Sequence, residues 1–203
     1  MMRRANRFAN VSVCAALASA CAALCLAQTE PVLTPAALLQ QMHGEWSVSQ
    51  RMWPGADANP VILPPAVAHR RIIQSSYLEE LMEATQKDSK DAFTRIALFD
   101  YNLVSRRYEY FSLDSRLPQM MNERSRPSDA HPTQASNTIE LAGSHFIAPV
   151  WGKASNVPFR YRLIVGDVHN DRQVVQLYLT PDSGADRREF LAFDYAYTRV
   201  ASP

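Results

Sequence analysis

The period of apolar and polar positions changes after Gly44. Before it, apolar residues recur at helical spacing up to Met42, and Thr34 and Pro35 suit the N-cap and first position of a helix. From residue 46 to 52, larger side chains alternate with Ser, Ser and Arg, which is the two-residue period of a half-buried strand. The sequence therefore predicts a short N-terminal helix followed directly by a strand.

Strand patterns separated by turn residues continue to the end of the chain. Residues 66–84 favour one long, bent strand, and residues 92–100 and 106–113 favour a hairpin. Further strands are predicted at residues 138–142, 146–151, 157–165, 173–180 and 188–199. About nine or ten short strands with turns between them indicate an all-β domain, a single antiparallel sandwich or closed barrel with one short helix.

Two segments lack such a pattern and are predicted as loops. Residues 54–65 form a Pro-containing connection. Residues 116–137 hold three prolines and three arginines with little apolar content. We expect this second loop to be a solvated insertion that is dispensable for folding, and a functional lid is the alternative.

The N-terminus has the organisation of a secretory signal peptide. Arg3, Arg4 and Arg7 precede an uncharged, Ala-rich run over residues 11–27, and polar residues follow. Residues 1–27 are predicted as the signal and residues 28–203 as one domain, with a retained anchor or a lipoprotein as alternatives. The three cysteines are Cys14, Cys21 and Cys25. The exported chain would contain no thiol, would be periplasmic or secreted, and would contact no membrane beyond the signal.

The charge of the exported chain is close to balanced. Removing residues 1–27 takes away three of the 21 basic residues and none of the 20 acidic ones. No basic excess remains to attract nucleic acid or anionic lipid by charge alone. We therefore expect no nucleic-acid partner.

No catalytic signature is present in the sequence. A Gly-x-Ser-x-Gly elbow, a zincin motif, a phosphate loop and a dinucleotide fingerprint are all absent. The histidines stand apart, with none two or four residues from another, so the sequence predicts neither a metal site nor a cofactor. These residues are His43, His69, His131, His145 and His169. The sequence therefore favours a function other than catalysis.

One constellation resembles the calycin, or lipocalin-type, barrel. In those barrels a Gly-x-Trp motif in the first strand closes the floor, and an arginine from the last strand stacks on the indole. Gly44, Trp46 and Arg199 fit these positions. The chain from Leu38 to Arg199 is also similar to a family of bacterial proteins with a calycin-like barrel, catalogued as a domain of unknown function. The similar segments include Met52 to Gly55, Phe99 to Asn102 and Tyr195 to Arg199. The resemblance implies a barrel architecture and no established activity.

Strand parity predicts which side chains face the barrel interior. If Trp46 points inward, so do Val48, Gln50 and Met52, and if Arg199 points inward, so do Phe193, Tyr195 and Tyr197. Arginines at positions 160 and 162 alternate with Phe159, Tyr161 and Leu163. Either the aromatics fill the core and the arginines face water, or an arginine lies inside as counter-charge for an anionic ligand.

A small, mostly apolar ligand with one polar handle suits such an interior. The alternatives are a structural or interaction module with a filled barrel, and an enzyme acting inside it. The candidate ligand-binding residues are Gln50, Met52, Tyr108, Tyr110, Arg160, Arg162, Gln176, Tyr178, Phe193 and Tyr195. Gly44, Trp46 and Arg199 are the candidate structural residues.

Overall fold

The structure is a computed structural model that describes residues 33–127, 138–151, 154–184 and 187–201. The predicted signal peptide lies outside these ranges. The described part of the chain forms one helix and eleven strands. They are α1 (Pro35–Met42), β1 (Gly44–Met52), β2 (Val61–Ile73), β3 (Tyr77–Ala84), β4 (Thr94–Asn102), β5 (Arg107–Asp114), β6 (Leu117–Arg124), β7 (Ile139–Gly143), β8 (Phe146–Trp151), β9 (Ala154–Gly166), β10 (Arg172–Pro181) and β11 (Phe190–Arg199).

Ten of the described strands close into an antiparallel barrel. The order runs from β1 to β7 and then through β9, β10 and β11, and β11 pairs back onto β1. β8 is the extra strand, because it pairs with the first half of β9 while β7 pairs with the second half. This arrangement confirms the predicted all-β, single antiparallel barrel with a short N-terminal helix.

The predicted contact between Trp46 and Arg199 is confirmed at one end of the barrel. The guanidinium carbon of Arg199 lies 4.2 Å from the centroid of the indole. Arg199 also donates hydrogen bonds of 2.6 Å to the carbonyl oxygens of Gln41 and His43, and the indole N–H donates to the carbonyl of Met42 at 3.0 Å. These bonds satisfy carbonyls that the helix end leaves free. One arginine therefore joins the last strand, the first strand and α1 at what we call the closed end.

Gly44 lets the chain turn sharply from α1 into β1. Its φ angle is +120°, a conformation that residues with a side chain rarely adopt. A Cβ atom at this position would also overlap Nη1 of Arg199. Glycine is thus required by the backbone conformation and by the close approach of the arginine.

The prediction of one bent strand over residues 66–84 is wrong. A turn at residues 74–76 separates β2 from β3, which pair as a hairpin. Gln74 and Ser75 both have positive φ angles, 48° and 59°. Such turns usually carry Asn-Gly or a similar pair, so the ordinary sequence signal is missing here.

The predicted Pro-containing loop over residues 54–65 is shorter than expected, because β2 begins at Val61. Pro64 and Pro65 lie within β2 where its register against β1 shifts. Proline is tolerated at such a bulge, since the position needs no N–H donor for the ladder. The carbonyl oxygen of Pro64 accepts a 2.7 Å hydrogen bond from the side chain of Gln50.

The prediction of a loop over residues 116–137 is wrong for its first part, which forms β6 between β5 and β7. Three β6 side chains line the interior cavity, namely Leu117, Met121 and Glu123. The inward glutamate hides the alternation that would mark a half-buried strand. A linker replacing residues 116–137 would remove β6 from the barrel, so we now expect such a replacement to prevent folding. Residues 128–137 lie outside the described ranges.

Candidate functional site at the open end of the barrel

A cavity of about 620 Å³ lies inside the barrel at the end opposite the Trp46–Arg199 pair. β1 runs from Trp46 at the closed end to Met52 in the cavity wall. The exposed side chains of Val61 and Ile62 line the same cavity at its mouth. The mouth and wall are mostly apolar, as is typical of a small-molecule site.

An aromatic cluster contributes Trp151 and Phe193 to one side of the wall. The ring of Trp151 lies 5.9 Å from that of Phe159 and 5.7 Å from that of Phe193, in edge-to-face geometry. Phe190 packs against the rings of Trp151 and Phe159. Such clusters are stiff and present an apolar face at low entropic cost.

A paired arginine lies nearer the mouth. Arg116 donates from Nε and Nη2 to the two carboxylate oxygens of Asp114, at 2.9 and 2.6 Å, and from Nη1 to Gln50 at 3.1 Å. Its guanidinium also covers the ring of Phe93 at 3.6 Å. Burial raises the pKa of Asp114, but the bonds from Arg116 outweigh it and hold that pKa below its usual value. Asp114 and Arg116 therefore neutralise each other.

A buried charge cluster lies at the inner end. Arg70 donates from Nε to one oxygen of Glu80 at 2.7 Å, and its Nη2 forms an ion pair with the same oxygen at 2.6 Å. Tyr197 also donates to this oxygen, at 3.1 Å. The other Glu80 oxygen lies 3.8 Å from Arg95. Burial raises the pKa of Glu80, but Arg70 and Arg95 together hold it below its usual value. Two guanidiniums thus share one carboxylate, and Arg95, which also donates to the Tyr110 hydroxyl, reaches the cavity wall.

Glu123 is the carboxyl group of the inner wall that lacks a partner. Its side chain lines the cavity, the residue is only 1% exposed, and neither oxygen has a hydrogen-bond partner among the described residues. Burial raises the pKa of Glu123 to about 8, although the charge of Arg95 acts in the opposite direction. At neutral pH the group is therefore mainly a protonated carboxyl that can donate one hydrogen bond.

The inner end of the cavity carries an unbalanced positive charge. The guanidiniums of Arg70 and Arg95 share one ionised carboxylate, that of Glu80, whereas Arg116 and Asp114 neutralise each other nearer the mouth. Glu123 adds no charge while it holds its proton. The site thus combines an apolar wall with a cationic, hydrogen-bonding inner end.

Residues 33–197 match the family described as "Protein of unknown function (DUF1579)". The chain belongs to this family. The match begins just before α1 and ends within β11, so it covers the barrel and its cavity. A comparison with curated proteins finds no match. The DUF1579 description assigns no activity, so the chemistry of the cavity has to supply the functional interpretation.

Membrane-spanning helices and metal-ligand clusters are both absent from the described part of this DUF1579 protein. None of its described helices is both long and apolar enough to span a membrane. Within the same residues, no three His, Cys, Asp or Glu side chains gather closely enough to hold a metal ion. His69 and His145 instead lie on the surface beside Glu45 and Asp182.

Four of the ten predicted ligand-binding residues line the cavity, and a fifth, Gln50, is bonded to a lining residue. Gln50 is buried beside the cavity and bonded to Arg116. Tyr108 is buried too, but it packs against Phe99 and Tyr101, outside the cavity lining. The predicted residues that line the cavity itself are Met52, Tyr110, Phe193 and Tyr195.

The hypothesis that an arginine of β9 lies inside the barrel is wrong. Arg160 pairs with Asp182 at 2.9 Å, and Arg162 donates two 2.7 Å hydrogen bonds to Glu189 on the outer surface. The reason is that apolar and aromatic side chains of β9 gain more from burial than a guanidinium does. The inward β9 residues are Phe159, Tyr161, Leu163 and Val165.

The prediction that Gln176 and Tyr178 of β10 face the barrel interior is also wrong. Gln176 donates to Asp194 at 3.1 Å, and Tyr178 lies 4.2 Å beneath the guanidinium of Arg162. Both contacts are on the outer face, since the buried residues of β10 are the alternate ones, Val175, Leu177 and Leu179. Neither residue lines the cavity.

Sequence reasoning missed the polar residues that define the site, Arg95, Arg116 and Glu123. Arg95 shares a strand face with Phe99, but its outward neighbours Ile96 and Leu98 are also apolar, so the inward face of β4 is ambiguous. The two-residue alternation of the strand, counted back from the inward-facing Phe99, would have placed Arg95 inside the barrel.

Proposed function

We propose that the chain is an exported, calycin-like barrel that binds a small, mostly apolar molecule in its interior. The observation that carries the proposal is the cavity of about 620 Å³. Ligand sites usually measure about 300–1,000 Å³ and combine apolar walls with a few polar groups. Here the wall is apolar, and the polar groups at the inner end would orient the bound molecule.

The closed end supports the calycin-like classification. Trp46 in the first strand and Arg199 in the last stack on each other beneath the barrel, which is the arrangement that the resemblance implies. Export is supported by the basic start and uncharged run of residues 1–27. The proposed location is accordingly the periplasm or the extracellular medium.

An interaction module with a filled barrel is the second candidate. One observation favours it: exposed apolar side chains stand opposite one another across four neighbouring strands of the outer face. They are Leu81, Ile96, Leu113 and Met120. A row of this kind is typical of contact surfaces. The open cavity favours ligand binding as the first function.

Catalysis in the cavity is less well supported than binding. Glycosidase-type chemistry, for example, uses two carboxyl groups that act in different roles. Asp114 is held by Arg116 and Glu80 by Arg70, which leaves Glu123 as the one inner carboxyl without a partner among the described residues. A single neutral carboxyl suits recognition of a ligand group.

A neutral fluorescent probe tests whether the cavity binds apolar molecules. N-phenyl-1-naphthylamine should bind with a rise and blue shift of its fluorescence, because the apolar cavity excludes water. Ala148 is buried in the cavity wall, so Ala148→Trp should fill the space and weaken probe binding at least about tenfold, the loss of roughly 1.4 kcal/mol. The measurement is a fluorescence titration.

Ala142→Trp is the matched control, because Ala142 belongs to neighbouring β7 and is exposed. This variant should bind the probe like the original protein, and circular dichroism should show that both variants fold. Absence of probe binding, or equal binding by Ala148→Trp, would contradict the proposed function.

A further inference from the structure

We propose that the polar handle of the ligand is a single anionic acid group, such as a carboxylate, which is received between Arg95 and Glu123 at the inner end of the cavity. This inference rests on the proposed function and names the ligand class for the same cavity. It adds the expectation that ligand binding depends on the proton held by Glu123.

The inner end of the cavity has one more guanidinium than it has ionised carboxylates. The nitrogen–oxygen distance to Glu80 is 2.6 Å for Arg70 and 3.8 Å for Arg95, so Arg95 forms the weaker of the two ion pairs. Arg116 is neutralised by its two bonds to Asp114. An uncompensated buried charge is costly, and a monoanion placed at Arg95 would remove that cost.

The guanidinium of Arg95 is held ready for such a group. It lies 5.1 Å from the ring centroid of Tyr195 and 5.8 Å from that of Tyr110, and it also donates to the Tyr110 hydroxyl. These contacts fix its orientation before any ligand arrives, so little entropy is lost on binding.

Glu123 supplies the second contact. It lines the same cavity as Arg95, and its carboxyl group has no bond to Arg95 or to any other described residue. A protonated carboxyl donates its hydrogen to a carboxylate acceptor, while the guanidinium donates from its own side. Such a site offers donors and positive charge, which a cationic ammonium ligand would not match.

Of the titratable groups around Glu123, only Glu123 itself changes its charge near neutral pH; the other groups face it from three strands. They are Arg95 from β4, Tyr110 from β5 and Tyr161 from β9, whereas Gly143 of β7 stands opposite it in register without a side chain. Burial raises the pKa of both phenols far above neutrality, so they stay uncharged. Ionisation of Glu123 therefore places a negative charge where the ligand anion would lie.

The test is displacement of bound N-phenyl-1-naphthylamine by decanoate and by decanamide, which have the same shape and differ in charge. At about pH 6.5, decanoate should displace the probe at a concentration at least roughly tenfold below that of decanamide. At about pH 9.5, decanoate binding should weaken by roughly tenfold or more, because Glu123 has lost its proton. Decanamide binding should not weaken.

Two variants assign the effect to these residues. Glu123→Gln keeps the shape and a donor but cannot ionise, so decanoate binding should become independent of pH. Arg95→Met should abolish the preference for decanoate over decanamide. Glu109→Gln is the matched control, because Glu109 lies on the outer face of β5 beside Arg107 and Arg124 and should behave like the original protein. If Arg95→Met fails to fold, the Glu123→Gln result still decides.

The outcomes separate this inference from the proposed function. If the probe binds but decanoate and decanamide are equivalent, or if decylammonium binds better than decanoate, the anionic ligand class is wrong and the apolar cavity stands. If Glu123→Gln retains the pH dependence, the site between Arg95 and Glu123 is wrong and the apolar cavity again stands. If neither the probe nor any of the decyl compounds binds, both proposals fall.

Discussion

Replacing Trp46 by alanine is expected to lower the free energy of unfolding by about 3–5 kcal/mol, as for other fully buried aromatics. Trp46 is 0% exposed, and its ring meets that of Tyr197 edge-on at 6.4 Å. The substitution would leave a cavity beneath the barrel, remove the hydrogen bond to Met42 and deprive Arg199 of its stacking partner. Urea denaturation followed by circular dichroism measures the loss.

A double-mutant cycle with Arg199→Ala isolates the contact itself. We expect a coupling energy of about 1–2 kcal/mol, since the guanidinium is partly desolvated above the indole. The matched control is Arg51 and Trp53, a second Arg–Trp pair with 5.5 Å between guanidinium and ring, in which Arg51 is about half exposed. That pair should couple more weakly. A coupling energy of zero for Trp46 and Arg199 would show that their contact does not hold the closed end together.

Replacing Glu80 by leucine is expected to lower the free energy of unfolding by about 3–5 kcal/mol. The substitution has similar volume, but it leaves the buried guanidiniums of Arg70 and Arg95 without their carboxylate. An unpaired buried charge is far more costly than the net worth of the pair. Urea denaturation near neutral pH provides the measurement.

Glu79→Leu is the matched control, because the neighbouring Arg71–Glu79 pair joins the same two strands on the outer face. An exposed ion pair contributes about 0–1 kcal/mol, so this variant should stay near the original stability. The two losses should differ clearly, and equal effects of Glu79→Leu and Glu80→Leu would contradict the account of the buried cluster.

Ionised Glu80 is expected to make the protein more stable at neutral pH than in acid. The pKa of Glu80 is lowered in the folded state from an ordinary value of 4.5. Its stabilising contribution is therefore fully present above that value and is lost as the pH falls through the lower folded pKa. The Glu80→Leu variant should lack this part of the acid sensitivity.

The fold was largely predictable because most strands bury one face. Alternation placed β1, the β4–β5 hairpin and the strands from β7 to β11 close to their observed bounds, and the helix was predicted to its last residue. Closure of the barrel followed from Trp46 and Arg199, which stand opposite each other in the register of β1 and β11. These features depend on apolar side chains, whose position a local pattern reveals.

The candidate site was harder to predict because its defining residues break that pattern. Glu123 points inward from β6, and Arg95 and Arg116 are charged side chains that a polar–apolar alternation assigns to water. Conversely, Arg160 and Arg162 lie where that rule places them, outside. Only the packing of distant strands shows that a charged residue has buried partners, as Arg95 has in Glu80, Tyr110 and Tyr195.

Native mass spectrometry of the protein, purified without detergent from the cells that produce it, tests the central claim most directly. The account predicts a complex heavier than the bare chain, which releases a small, mostly apolar acid on denaturation. The denatured mass should correspond to a chain that starts near Gln28. A native mass equal to the denatured mass, together with no binding of the apolar probe, would contradict the account of the barrel as a ligand-binding protein.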